Sequence, residues 1–141
     1  MFKLVKILNS GANVPEPVTA YFNGEIDIVA GCIYFTNIGG ITTHRENEYS
    51  GLIYALQNAP LEEMSYPVLC YFITSDMIFE ADMDETCGYL SIGDHFKLVR
   101  GSLNEPYAIN NDVDLNTIPD GTVVDTTNHQ KTRKALVRFN V

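Results

Sequence analysis

The chain has 141 residues and a formal net charge of −9, and 45% of its residues are hydrophobic. This length suits one domain of ordinary size, and the hydrophobic fraction allows a packed core without disulfides, which excludes a wholly disordered chain. The acidic balance disfavours nucleic acid as a partner, and no apolar run approaches the roughly 18 residues that span a membrane.

Short apolar runs rich in β-branched and aromatic residues alternate with dense turn signals along the chain. This pattern predicts a mostly β fold, namely a single compact β-sandwich or β-barrel domain with an extended N-terminal segment. The predicted strands cover residues 2–8, 25–36, 49–56, 66–73, 77–81, 95–100, 107–109, 122–126 and 134–141. Residues 37–40 predict a turn, residues 59–64 predict one helical turn, and the last two strands are expected to pair.

The N-terminal segment leaves two interpretations open. Pro15 and Pro17 favour an extended, stiff connection after the first strand, so we divide the chain into a strand with a proline-containing arm, residues 1–17, and a β-rich domain, residues 18–141. In one interpretation the arm adds a strand to a partner's sheet edge, with contacts from Phe2, Leu4, Ile7, Pro15 and Pro17. In the other, residues 2–8 form a strand of the chain's own sheet.

The acidic stretch from residue 74 to residue 98 raises the question of a calcium site. Asp82, Asp84 and Thr86 occupy positions 1, 3 and 5 of a possible EF-hand loop. That loop requires Gly at position 6 and Glu at position 12, where this chain has Cys87 and Gly93. The sequence therefore disfavours calcium here.

A second near-match to the calcium loop follows at residues 112–116. It has Asp, Asp and Asn at alternate positions, but Thr117 and Val123 replace the required Gly and Glu. The chain shows no zinc-ligand spacing, no GxSxG motif and no phosphate-binding glycine loop. We therefore expect no metal ion, no cofactor and no catalytic residue. The three cysteines are expected to be reduced, buried thiols.

A structural interpretation explains more of the acidic stretch. Met77, Phe79 and Ala81 alternate with other residues as in a strand, and a hydrated connection follows. Residues 91–94 predict a tight turn, in which Gly93 takes a positive φ and Asp94 hydrogen-bonds nearby backbone amides. The carboxylates then mark connections and the solvent side of the strands.

Four segments occur in an order that is similar to a known group of proteins. FKLVKILNS with NVPEP comes first, followed by SDMIFEAD, SIGDHFKL and KALVRFNV. This order resembles the small head-decoration (capsid auxiliary) structural proteins of tailed bacteriophages, over nearly the whole chain. Residues 101–119 match less well, and their role stays open.

The resemblance implies a virion structural protein, not an enzyme, that binds the outer surface of a phage capsid and stabilises or decorates it. Its partner would be the major capsid protein, and its location the capsid surface after synthesis in the host cytoplasm. The resemblance also implies a homo-oligomer, a trimer being one form in keeping with it. The alternative is a carbohydrate-binding or adhesion module of a phage tail, which the eight tyrosines and the loop carboxylates motivate.

Overall fold

The computed structural model describes residues 1–8, 15–22, 26–37, 40–46, 50–59, 66–126 and 132–141. Strands dominate this described part and form one six-stranded and one five-stranded sheet, which confirms the predicted mostly β fold of the sandwich or barrel class. The strands are β1 (Phe2–Ile7), β2 (Val18–Phe22), β3 (Ile33–Asn37), β4 (Gly40–Thr42), β5 (Gly51–Ala55), β6 (Tyr66–Phe72), β7 (Met77–Asp82), β8 (His95–Arg100), β9 (Pro106–Asn110), β10 (Gly121–Asp125) and β11 (Lys134–Phe139).

The chain divides into two compact units that alternate along the sequence. The first unit comprises Met1–Asn13, Thr74–Val99 and Tyr107–Asn140, and the second comprises Val14–Ile73 with Arg100–Pro106 and Val141. The boundary at residue 17 that the sequence suggested, between an arm and a β-rich domain, stays a prediction.

The six-stranded sheet has the order β1-β7-β11-β10-β8-β9. Strands β8 and β11 bury alternate residues, and an aromatic cluster forms around Phe139 at the end of β11. The ring of Phe139 meets those of Phe2, Phe79 and Phe96 edge to face, at centroid distances of 5.7, 5.5 and 5.5 Å. Each such pair adds about 0.5–1.5 kcal/mol to the effect of burying the rings. Four strands are thereby joined in one core.

Close backbone approach explains one glycine in this sheet. Gly121 of β10 pairs with Phe139 on one side and with Phe96 on the other. A Cβ atom at this position would collide with the carbonyl oxygen of Arg138 and with the ring of Phe96. Only glycine therefore fits between the two neighbouring strands.

The extension of β7 also bridges to the far edge strand of the same sheet. Met83 and Ile109 form an isolated parallel bridge, and the Asp84 N–H donates to the carbonyl oxygen of Ile109 at 3.0 Å. This bridge brings residues 83–84 beside the end of β9. The polar segment that follows β7 therefore begins next to the end of β9.

The five-stranded sheet has the order β2-β6-β5-β3-β4. Its two edge strands, β2 and β4, approach to within 8 Å between Cα atoms, so the sheet curls into an incomplete barrel. Val68, Cys70 and Ile53 are fully buried on one face of its central strands. All three cysteines of the chain are free and buried, as predicted.

The segment Arg100–Pro106 is fastened within the second unit. The Arg100 guanidinium donates to the carbonyl oxygen of Thr43, with Nε at 2.9 Å, and Asn104 Nδ2 donates to Thr43 Oγ1 at 3.0 Å. Burial, followed by the nearby charge of Arg100, lowers the pKa of His44.

Most predicted strands are confirmed, including the pairing of β10 with β11. The strand predicted for residues 25–36 is wrong at residues 26–32, because Ile28 forms only an isolated bridge to Ala59 and Gly31 turns the chain with a φ of 86°; residue 25 lies outside the described residues. The short strands β2 and β4 were not predicted. Residues 38–39 of the predicted turn and residues 60–64 of the predicted helical turn lie outside the described residues.

Candidate partner-binding surfaces

Residues 82–89, the first acidic loop, are cross-linked by hydrogen bonds to the end of β9. Asn110 is 6% exposed, and its Nδ2 donates to Asp84 Oδ1 at 2.7 Å and to Thr86 Oγ1 at 2.9 Å. The Thr86 hydroxyl in turn donates to Asp84 Oδ2 at 3.0 Å. Both oxygens of the Asp84 carboxylate therefore accept hydrogen bonds from donors of this chain, and these bonds stabilise the conformation of the loop.

Two further side chains also hold the first acidic loop by hydrogen bonds. Asn111 Oδ1 accepts from the Gly88 N–H at 3.1 Å. The guanidinium of Arg133 donates to the carbonyl oxygens of Asp84 and Cys87, at 2.9 and 2.8 Å. Backbone carbonyls that no strand pairs are satisfied in this way. The first acidic loop is thus held by residues that lie more than twenty positions away in the sequence.

Asp82 takes part in a different interaction, at the end of β7. It lies opposite Lys134 of β11, and Lys134 Nζ is 3.1 Å from Asp82 Oδ1 and 3.4 Å from Glu80 Oε1. Partial burial acts to raise the pKa of Asp82, but hydrogen bonds from the N-terminal ammonium and Lys134 outweigh it and hold the pKa below its usual value. The hydrogen bond and charge of Asp82 raise the pKa of Lys134. This is a cross-strand ion pair, which orders the surface of the sheet.

The tight turn predicted after the first acidic loop is confirmed. Gly93 has a φ of 93°, and the Asp94 N–H donates to the Ser91 carbonyl oxygen at 3.0 Å. The Asp94 carboxylate accepts from the Ser91 N–H at 2.8 Å. Across residues 1–8, 15–22, 26–37, 40–46, 50–59, 66–126 and 132–141, no three His, Cys, Asp or Glu side chains are grouped as metal ligands would be.

The N-terminal strand lies in the chain's own sheet, as the second interpretation of this segment expected, and the five partner contacts that the sequence suggested stay a prediction. β1 pairs with β7 at the edge of the six-stranded sheet, and Phe2 is only 3% exposed because it packs against Phe139. Leu4 and Ile7 are half-buried. The physical reason is that burial of the Phe2 ring and hydrogen bonding to β7 stabilise the strand in this position.

The outer edge of β1 is also poorly suited to adding a partner strand. The register shifts between Leu4 and Lys6, which leaves Val5 in a bulge, and both lysines of the strand are exposed. Bulges and lysines are features by which edge strands avoid pairing with other chains. Pro15 is half-buried and Pro17 is exposed, and both belong to the second unit, whereas β1 belongs to the first.

A surface that the sequence did not indicate lies on the five-stranded sheet. Tyr21 pairs with Pro67, Thr19 with Leu69, and Tyr54 with Tyr71, and directly paired residues project on the same face. We call these six residues the tyrosine face. Tyr21 is 63% exposed and Leu69 38% exposed, whereas Val68 and Cys70, which point the other way from β6, are fully buried.

The tyrosine face is uncharged and partly ordered by ring stacking. The rings of Tyr54 and Tyr71 lie 6.2 Å apart with an interplanar angle of 17°. Burial raises the pKa of Tyr54, and so do the nearby Cys32 and Tyr71, so its hydroxyl stays protonated at neutral pH. The signal that could have revealed this face is the alternation of Thr19 and Tyr21 in β2, a strand too short to recognise beside the prolines.

No protein family, curated protein or solved structure matches the chain. Within the part of the chain that the structure describes, no helix has the length and apolar character that crossing a membrane requires.

Proposed function

We propose that this chain is a structural protein of a tailed-phage virion that binds the outer surface of the capsid and stabilises or decorates it. The order of the four segments that resemble head-decoration proteins supports the assignment. The observation that carries it is the tyrosine face, an uncharged aromatic surface on a chain whose net charge is −9.

The chemistry of the tyrosine face suits a protein partner. Protein interfaces are enriched in tyrosine and depleted in charged residues at their centre. Tyr21 and Leu69 supply exposed apolar area on two neighbouring strands. Because β2 and β6 are already paired, these side chains need little ordering on binding. Strands that are paired over their whole length hold these side chains at fixed spacing.

A capsid is a repeated lattice, so several modest contacts combine. A homo-oligomer on such a lattice gains attachment strength through effective concentration, even when each contact is weak. In this role the major capsid protein is the partner, and neither catalysis nor a cofactor is needed. The protein would be made in the host cytoplasm and reside on the capsid surface.

The experiment sediments purified protein with capsid shells that lack it. We expect the wild-type chain to co-sediment at micromolar concentration and moderate salt, and Tyr21→Asp to bind at least about tenfold more weakly, which corresponds to about 1.4 kcal/mol. Ile92→Asp is the matched control, because Ile92 is 69% exposed in the turn at residues 91–94 of the other unit. A wild-type chain that stays in the supernatant contradicts the proposal.

A second candidate function is a carbohydrate-binding or adhesion module of a phage tail. The stacked pair Tyr54 and Tyr71 favours it, because tyrosine rings exposed on the face of a sheet can stack on sugar rings. A glycan array separates the two candidates. A signal that Tyr21→Asp abolishes, together with no sedimentation on shells, would favour the carbohydrate assignment.

A further inference from the structure

Residues 112–118, which we call the leucine turn, form a loop with its own internal order. Asp114 organises it, since its carboxylate accepts from the Asn116 N–H at 2.9 Å. The Asp114 carbonyl oxygen accepts from the Thr117 N–H at 3.1 Å and from the Thr117 hydroxyl at 2.9 Å. These three hydrogen bonds hold the backbone around Leu115 in one conformation.

Two of the side chains that this turn exposes are large and apolar. Leu115 is 101% exposed, and Ile118, three residues later, is 46% exposed. Single exposed apolar residues are ordinary on protein surfaces. The leucine turn differs from such single residues, because it exposes two apolar side chains within four residues and three hydrogen bonds hold its backbone. Fixing the turn in advance lowers the ordering cost of binding.

Two carboxylates lie close to the exposed leucine in the sequence. Asp112 and Asp114 precede it, and the side chain of Asp112 is 89% exposed. Lys97 Nζ approaches Asp112 Oδ2 at 3.7 Å, which leaves most of that carboxylate facing water. A partner that fits this arrangement has an apolar pocket with lysine or arginine side chains at its rim.

We infer that the leucine turn inserts Leu115 into an apolar, basic-rimmed pocket on the shell protein to which the chain binds. The inference rests on the proposed function, and it names a second contact. The turn belongs to the first unit, whereas the tyrosine face belongs to the second unit. It also gives a role to residues 112–118, part of the segment whose resemblance to head-decoration proteins is weak.

The test compares two leucines that differ in their setting. Leu115→Ser removes the proposed anchor, and Leu103→Ser makes the same change in the turn after β8, where the leucine is 56% exposed. We expect Leu115→Ser to bind shells at least about tenfold more weakly, because a buried leucine contributes more than the energy of one decade in affinity. Leu103→Ser should bind like the wild type, and both variants should keep the wild-type Tm.

Charge provides an independent readout. Asp112→Asn should bind shells with a weaker dependence on salt than the wild type, because it removes one attraction to the basic rim. If wild-type protein sediments with shells and Leu115→Ser sediments equally well, the leucine turn is not a contact and the proposed function stands. If wild-type protein fails to sediment, both proposals are overturned.

Discussion

The two acidic loops of the first unit share a sequence spacing and differ in structural role. Residues 82–86 carry Asp, Asp and Thr at alternate positions, and residues 112–116 carry Asp, Asp and Asn in the same spacing. In the first acidic loop, the polar atoms are bound by Asn110, Asn111 and Arg133. In the leucine turn, the Asp114 carboxylate accepts a hydrogen bond from the Asn116 N–H, and the side chain of Leu115 is exposed to water.

This difference shows that carboxylates at alternate positions favour a turn but do not determine whether other parts of the chain bind to that turn. A short acidic side chain accepts hydrogen bonds from nearby backbone amides, so it stabilises a turn wherever it occurs. What surrounds the turn then decides whether the loop is locked in place or displayed. In the first acidic loop, hydrogen bonds from the buried Asn110 to Asp84 and Thr86 hold the loop in place.

The largest expected effect is loss of the Asn110 cross-link. Asn110→Ala removes two donated hydrogen bonds, one of them to a carboxylate, and the bond that Asn110 Oδ1 accepts from the Asp112 N–H at 2.7 Å. We expect the free energy of unfolding to fall by about 2–4 kcal/mol, measured by urea denaturation. The loss is large because the side chain is buried.

Asn116→Ala is the matched control for that change. Asn116 contributes its backbone N–H to the leucine turn, and its side chain is exposed. The same substitution should therefore alter stability by less than about 0.5 kcal/mol. Equal losses at the two positions would contradict the distinction between a locked and a displayed loop.

A smaller effect is expected in acid. Because the pKa of Asp82 is depressed in the folded protein, its ion pair stabilises the fold above the usual Asp pKa, and this contribution is lost as pH falls through the depressed value. Wild-type protein should lose more stability than Asp82→Asn between pH 5 and pH 2 (roughly the range in which carboxyls titrate). Urea midpoints measured across this range check the difference.

The exposed carboxylate of the leucine turn provides the comparison in acid. Asp112→Asn should follow the wild-type acid profile, since Asp112 has only a distant, exposed ion pair with Lys97. If Asp112→Asn flattened the profile and Asp82→Asn did not, the assignment of the structural ion pair to Asp82 would be wrong.

No effect is expected from calcium on either loop. The Asp84 carboxylate already accepts hydrogen bonds from Asn110 and Thr86, and Asp114 accepts from its own turn. Millimolar Ca²⁺ should therefore leave the Tm where a chelator leaves it. A rise in Tm that grows with Ca²⁺ concentration would show that a loop binds the ion in its folded state.

Predictability from sequence differed among the strands for a physical reason. Strands β8 and β11 were recognised because alternation of buried and exposed residues is local, and residues 95–100 were placed with both ends correct. Residues 25–36 misled because a buried apolar run looks the same whether Ile28 continues a strand or only bridges to Ala59. β4 has three residues, too few to show a period.

The candidate surfaces were harder to predict than the fold. The sequence suggested Phe2 as a contact residue because its alternation with Leu4 fits a donated strand equally well. The packing of Phe2 against Phe139 and the pairing of β1 with β7 place the strand in the chain's own sheet, and neither can be read from local alternation. Tyr21 and Leu69 become neighbours through the pairing of β2 with β6, across nearly fifty residues of sequence.

The amino-acid sequence alone determined the mostly β class, most strand positions and the turn around Gly93, because these depend on alternation and on backbone conformations that neighbouring residues set. Tertiary structure alone decided that Asn110 locks one acidic loop while Leu115 of the other stays in water. That outcome depends on which distant strands pair and what they bury, and a local pattern carries no information about a partner many residues away.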